Sequence, residues 1–316
     1  MSVDCKQNMT TISIVTPCFN EQENVQELYD RIKRVLSGFD YVYEHIFIDN
    51  ASTDQTVELL RGLALQDKRV KVILNTRNFG HIRSPYHGLL QASGDAVIVM
   101  ASDLQDPPEK IPEFIQKWEA GYKVVIGVKT SSAEFGLFYF LRLMYYRVLR
   151  KLSDVRLIEN FTGFGLYDKQ VINILREFHD PYPYFRGQIA DIGFDIAQIE
   201  FTQPRRKRGI SKNNFYTLYD LAMLGLVSYT KLPLRLAAMF GFFSGVVSFF
   251  VGLIYLVYKL VDWQNFSLGL APVVIGLFFL GSVQLFFLGI MGEYIGQIYT
   301  LTVHRPLVIE KERINF

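Results

Sequence analysis

Asp103, Gln105, Asp106 and Glu109 crowd into the stretch VMASDLQDPPE, residues 99–109, directly after an apolar run. Polar groups at the end of a buried strand can do two kinds of chemistry. Asp106-Pro107-Pro108-Glu109 matches a helix start: a capping aspartate, proline in the first turn, then an acid beside the N-terminus. Asp103 and Gln105 have no such role. Alternate residues of an extended segment face the same side, so both can meet one cation. A carboxylate and an amide oxygen suit Mg2+ or Mn2+, hard ions that bridge diphosphates while keeping several waters. For Asp106 two readings stand, helix cap and further metal ligand, and the local pattern favours the cap.

Two other stretches have the same double character. In PCFNEQENV (17–25) Asn20 and Glu23 have the spacing of a capping box, which leaves Pro17 and Glu21 for something else. In IDNASTDQT (48–56) Asp54 reads as the cap of the next helix, while Asp49 stands at the strand end. A carboxylate there can accept hydrogen bonds from a ribose hydroxyl or a base N–H. QPRRKRGISK (203–212) is the densest basic cluster. Gly209 and Ser211 among Arg206, Arg208 and Lys212 read as a phosphate-gripping loop, and general attraction to anionic lipid is the alternative.

The elements that would position these residues follow from periodicity. Apolar runs at 12–17, 44–50, 70–75, 95–100 and 123–128 alternate with helical spacing over 20–36, about 54–66, near 83–92 and from Pro107. Strands alternating with helices predict an α/β domain on a mainly parallel sheet covered on both faces. Such sheets bind ligands at the carboxyl ends of their strands, and TPCFNE, DNAS and SDLQD all follow strands. No G-x-x-x-x-G-K-[ST] loop occurs, which excludes a P-loop nucleotidase. A G-x-G-x-x-G turn is also missing after the first strand, which argues against a dinucleotide oxidoreductase. Neither the cysteines (Cys5, Cys18) nor the five histidines have metal-ligand spacing.

Charge is nearly balanced, 33 Lys and Arg against 31 Asp and Glu, so its distribution matters more than its sum. Residues 236–258 and 263–292 carry no charged side chain, and each run exceeds the roughly 20 residues that cross a bilayer. Two transmembrane helices are predicted over 234–300, with Tyr255, Tyr258 and Trp263 near their turn as interfacial anchors. Arg205, Arg206, Lys207, Arg208, Lys212, Lys231 and Arg235 precede the first span, and Arg305, Lys311 and Arg313 follow the second. The positive-inside rule puts the N-terminal domain and both termini in the cytoplasm, on the inner (plasma) membrane, and the N-terminus does not read as a signal peptide. Residues 135–152 and 214–230 read as amphipathic or aromatic-rich helices for the membrane interface, with packing on the soluble core as the alternative. The expected parts are 1–134 and 135–213, two parts of the α/β domain; 214–233, a juxtamembrane helix; 234–300, the spans; and 301–316, a tail.

PCFNEQENV, IDNASTDQT, NFGHIRSPYHGLLQASGDAVIVMASDLQDPPE, YFRGQIADIGF and RGISK, in that order, resemble family-two glycosyltransferases with a GT-A fold. The polyprenyl-phosphate branch, with its dolichol-phosphate mannose synthases and bactoprenol glucosyltransferases, is the most similar. The resemblance implies an inverting transfer of a hexose, glucose from UDP-glucose, to a polyprenyl phosphate such as undecaprenyl phosphate, with 1–134 as the nucleotide-sugar-binding part and 135–213 as the acceptor-side part. It implies nucleotide contacts at Pro17, Asn20, Glu21 and Asp49, and Mg2+ or Mn2+ at Asp103 and Gln105. Arg206, Arg208 and Lys212 would meet the acceptor phosphate, assisted by Lys129, and Asp103, Arg206 and Lys212 would be the catalytic group. The implied partners are the UDP-sugar, the polyprenyl phosphate and the bilayer, with room for a homo-oligomer and no nucleic acid.

Three departures from the family pattern stand out: Ala101 where an aspartate is common, Asn50 for a second aspartate, and Gly163 and Gly165 where mannose synthases carry Asp and Arg. They favour the glucosyl branch. They also leave a rival, a non-catalytic nucleotide-sugar-binding subunit of a membrane lipid-glycan assembly. Processive synthases carry Q-x-x-R-W, and neither Trp118 nor Trp263 follows an arginine.

Overall fold

The computed structural model describes residues 10–129, 161–204, 223–225, 227, 230–261, 270–303 and 305–316. The sequence-predicted helix over 135–152, most of that over 214–230, the turn between the apolar runs, and Arg206, Arg208 and Lys212 lie outside the described residues.

The N-terminal half alternates as its periodicity predicts. It runs β1 (Thr11–Cys18), α1 (Val25–Leu36), β2 (Val42–Asp49), α2 (Thr56–Gln66), β3 (Val70–Asn75), α3 (Gly80–Leu90) and β4 (Ala96–Val99). A 3-10 turn at Pro108–Lys110 leads into α4 (Ile111–Glu119), followed by β5 (Val124–Lys129). Then come β6 (Phe161–Asp168), α5 (Lys169–Glu177), α6 (Phe185–Asp191) and β7 (Ile196–Phe201). Two long apolar helices, α7 (Leu232–Val261) and α8 (Leu270–Thr302), precede a last strand, β8 (Glu310–Ile314).

All eight strands form one sheet in the order β7-β5-β6-β4-β1-β2-β3-β8. The pairs β1–β2, β1–β4, β2–β3 and β5–β7 are parallel. The remaining three pairs, β4–β6, β5–β6 and β3–β8, are antiparallel. The fold is therefore a GT-A-like α/β sheet, mostly parallel, with its central strands buried on both faces. Ile12, Ile14, Ile98 and Leu166 are fully enclosed in one layer, and Val15, Ile46, Ile48 and Ile126 in another. Removing that much branched aliphatic surface from water is the main stabilising term.

Two features lie beyond the sequence reading. β6 inserts between β4 and β5 and runs opposite to both. Residues 310–314, part of the expected tail, return to the sheet and cover the edge of β3. Capping an edge strand in this way removes an open pairing surface.

Helices α7 and α8 are each long and apolar enough to cross a membrane, and none of either apolar stretch is buried inside the protein. Phe242 and Phe278 are both 69% exposed, an arrangement that water would penalise and lipid would not. At about 1.5 Å per residue each helix exceeds the ~30 Å hydrocarbon thickness. The two helices touch through Phe240 and Phe287, and Tyr294 donates its hydroxyl proton to the Thr230 carbonyl at 2.7 Å.

Candidate active site

The carboxyl ends of β1, β2 and β4 converge on one edge of the sheet, and the loops leaving them carry the polar residues singled out above. Three residues with side chains there hold left-handed backbone: Asn20 (φ 57°), Ala51 (φ 62°) and Leu104 (φ 60°). Outside glycine this conformation costs roughly 1–2 kcal/mol per residue, so each loop is held by its partners.

Those partners are visible. The Asn20 side-chain oxygen accepts from Thr53 N at 2.8 Å, and Asn20 N donates to Ser52 Oγ at 2.9 Å. Glu21 N donates to Thr56 Oγ1, and the Glu21 carboxylate accepts from Asn24 Nδ2 at 2.6 Å. The first and second loops are thereby zipped together. Asn20 is thus not an N-cap: α1 begins five residues later, after Asn24, with no side-chain cap. The capping-box spacing is overridden by the contacts between the loops. Asp54 does act locally, accepting from Thr56 N and Thr56 Oγ1 at the start of α2.

Asp49 ends β2 at 1% exposure and accepts from Ser52 N at 2.9 Å and Ser52 Oγ. Burial pushes its carboxyl up, and the Ser52 hydrogen bonds oppose that. Pro17 lies in β1, one residue short of its end.

The third loop sorts its side chains by alternation. Ser102, Leu104 and Asp106 are buried, while Ala101, Asp103 and Gln105 are partly exposed. Asp103 and Gln105 therefore do share the open side. Asp103 Oδ1 accepts from Gln105 N at 3.1 Å, and Gln105 Nε2 reaches the Pro204 carbonyl at 3.5 Å. A carboxylate and an amide oxygen here fit a hard divalent ion that takes its remaining ligands from water and diphosphate. Among the described residues no group of three His, Cys, Asp or Glu side chains is set to hold a metal.

Asp106 is not a helix cap. The 3-10 turn starts after extended Pro107 without a side-chain cap. The Asp106 carboxylate turns back instead and accepts from Ala101 N at 2.9 Å, closing the loop on itself. With Asp106 as cap, Pro107 and Pro108 would be the first two helical residues, and Pro108 has no N–H to donate to the carboxylate. Burial, against the Ala101 N–H, pushes its carboxyl up to about 7; the Asp103 charge adds to the rise and Lys129 opposes it. Lys129, the last residue of β5, is thus within electrostatic reach of this loop.

Beside the loop opens a cavity of about 250 Å3. Pro17 of β1, Ala101 and Asp106 of the third loop, Thr162 and Gly163 of β6, and Arg186 of α6 line it. Helix α3 supplies one wall through Ile82, Pro85, Tyr86 and Leu89, with His81 at its start. Thr162 Oγ1 is buried without a partner among the described residues. Sequence reasoning overlooked His81, Thr162 and Arg186 because histidine spacing was tested only for metal, and Arg186 sat unexamined inside YFRGQIADIGF.

Two departures from the family pattern have structural causes. A Cβ at Gly165 would stand 2.5 Å from the Val125 carbonyl, so a side chain there would shift the β5–β6 pair, and Gly163 has φ 103°, a backbone conformation that strains any residue with a side chain. Asn50 is fully used: it donates to Asn78 Oδ1 and the Gly80 carbonyl, and accepts from Asn75 Nδ2 and Phe79 N.

The sequence comparison decides the family. Residues 13–180, more than half of the chain, match the family described as Glycosyl transferase family 2. The chain belongs to glycosyl transferase family 2. Residues 232–298 match a second description, the GtrB C-terminal hairpin, which coincides with α7 and most of α8. Among family-two relatives, the bactoprenol glucosyl transferase of Shigella phage SfV is 34% identical over 95% of this chain and 98% of its own. The Bacillus subtilis (strain 168) uncharacterized glycosyltransferase YkcC is 35% identical over 94% of this chain and 92% of its own. Glucosyl-3-phosphoglycerate synthase from Mycobacterium tuberculosis, solved with Mn2+, UDP-glucose and phosphoglyceric acid, superposes with TM-score 0.46 at 20% identity, covering 69% of this chain and 78% of that one. In this family-two glycosyltransferase the three site loops all fall within the matched segment.

Proposed function

We propose that the protein is a membrane-bound inverting glycosyltransferase that moves glucose from UDP-glucose onto undecaprenyl phosphate or a similar polyprenyl phosphate. The observation that carries this reading is the pairing of partly exposed Asp103 and Gln105 on a loop whose Ala101 and Asp106 line a cavity of about 250 Å3. The phage relative named for bactoprenol glucosylation, similar across 95% of this chain, supports the lipid acceptor.

Pro17, Asn20, Glu21 and Asp49 hold the nucleotide on the zipped first and second loops. Asp103 and Gln105 hold Mg2+ or Mn2+, which neutralises charge on the diphosphate when bound. Arg206, Arg208 and Lys212, with Lys129, orient the acceptor phosphate. That phosphate has a second pKa of about 6 and is largely ionised near neutrality, so no strong general base is required. Positioning and charge stabilisation carry the catalysis. An acceptor phosphate oxygen bonds to the anomeric carbon as the bond to UDP breaks, and UDP leaves with the electron pair. The α-linked donor gives a β-linked product.

Because β8 belongs to the same sheet as β1–β7, the chain leaves the domain through α7 and comes back from α8. This supports a two-helix membrane hairpin with both ends on the catalytic side, which the flanking basic residues assign to the cytoplasmic face of the plasma membrane.

The test is to incubate the membrane protein with Mg2+ or Mn2+, a panel of nucleotide sugars and undecaprenyl phosphate, then identify the lipid product. A β-glucosyl phospholipid formed from UDP-glucose is expected. An α-linked product would rule out single inversion, and nucleotide binding without any turnover would favour a non-catalytic binder.

A further inference from the structure

Helix α3 presents three different faces. Gly88 presses on the sheet so closely that an added Cβ would stand 2.8 Å from Ile48 Cγ2 and 3.2 Å from Val15 Cγ1. A second face, with Ile82, Pro85, Tyr86 and Leu89, walls the cavity. The third face carries Arg83, His87 and Gln91, spaced four residues apart and therefore stacked along one side. Each of these three meets the segment that follows α8. Arg83 donates to the Pro306 carbonyl at 2.5 Å, His87 Nε2 lies 2.5 Å from Glu310 Oε1, and Arg313 donates to Gln91 Oε1 at 2.8 Å.

The same segment is anchored independently on the sheet. Thr76 N donates to the Ile309 carbonyl at 2.9 Å, β8 pairs with β3 from Val72 to Asn75, and Asn315 donates to the Ala64 and Val70 carbonyls. Arg61 pairs with Glu312. Leu307 packs into the core cluster that contains Tyr86 and Leu89.

We infer that residues 305–316 are a strut that fixes α3 from the side opposite the cavity, and that Arg83, His87 and Gln91 are positioning residues for the cavity wall. The strut begins three residues after α8 ends. The inference rests on the reading of that cavity as a substrate site. The segment's contacts with both sheet and helix tie α3 to the sheet edge.

The test uses the full chain in membranes and compares wild type, His87→Glu, which sets a carboxylate against Glu310, and His87→Lys, which keeps a donor facing it. Glu310 stays intact because it also pairs with Arg313. Two readouts are taken: hydrogen exchange of α3 amides against those of α1, and steady-state kinetics with UDP-glucose. In His87→Glu, α3 exchange is expected to rise about tenfold while α1 is unchanged, as local opening requires. KM is expected to rise about fivefold with kcat within about twofold, the signature of lost positioning in binding. His87→Lys is expected to stay near wild type in both. Unchanged α3 exchange in His87→Glu, exchange that rises equally in α1, or a lysine variant that behaves like the glutamate one overturns the inference. If wild type turns over no nucleotide sugar, the proposed function fails while the exchange result still decides the strut.

Discussion

The Asn50 side chain donates to Asn78 Oδ1 at 2.9 Å, tying the end of β2 to the loop that starts α3. The same amide donates to the Gly80 carbonyl and accepts from Asn75 and Phe79. An aspartate, the family's usual residue here, has no N–H for either acceptor. Asn50→Asp should therefore lower stability by about 1–3 kcal/mol, the cost of unpaired buried groups. Thermal unfolding checks this; an unchanged or raised Tm would show that the amide donors contribute nothing.

Asp103 is expected to be essential to turnover and dispensable to folding. It is partly exposed, and its carboxylate accepts from Gln105 N within the same loop. Asp103→Asn should reduce kcat at least about a hundredfold, as loss of a group stabilising developing charge does, with unchanged circular dichroism and Tm. Near-normal turnover would remove Asp103 from the cation site.

Asp106 should behave in the opposite manner. Its carboxylate is the acceptor that closes the loop through Ala101 N. Asp106→Asn keeps an acceptor oxygen, and Asp106→Ala strands a backbone N–H. The alanine variant should lose about 1–3 kcal/mol and the asparagine variant clearly less, measured by chemical denaturation. Equal losses would discard the latch.

Stability should fall as pH drops below about 6.5, because His45 is fully buried and its pKa is pushed down to about 3 by burial. Its Nε2 lies 3.0 Å from Thr16 Oγ1 and its ring stacks on Phe47 at 3.8 Å. Between pH 6.5 and 3 the unfolded chain binds a proton that the folded chain refuses, so the folded state loses up to roughly 1.4 kcal/mol per pH unit from this group. His45→Gln, which keeps a partner for Thr16, should flatten the slope in denaturation midpoints measured across that window.

Gly165→Ala should destabilise the β5–β6 pair, since its Cβ would meet the Val125 carbonyl at 2.5 Å. A loss of about 1–3 kcal/mol is expected from such overpacking. Wild-type stability would mean that β5 can yield at this point.

Much of the site was legible because its signals are local. Alternation along SDLQD sorted Asp103 and Gln105 to the open side, and the strand-end rule found the loops after β1, β2 and β4. The capping box at Asn20 and the cap at Asp106 were misleading for the opposite reason. Both residues have a good local partner in the sequence and a better one elsewhere. Asn20 bonds Thr53 across 33 positions, and Asp106 bonds backward to Ala101.

The sequence by itself determined the alternating β1–β4 half, the strand-end edge that carries the candidate site residues, and the two long apolar helices. Periods of 2 and 3.6 and long apolar runs are properties of neighbouring residues, so no tertiary knowledge was needed. Only the tertiary structure decided that β6 enters antiparallel between β4 and β5, that Gly165 leaves no room for a side chain, and that the tail closes the sheet. Arg61 and Glu312 meet across 251 positions. Spacing cannot encode a pairing that exists only once two distant segments have found the same edge of a completed sheet.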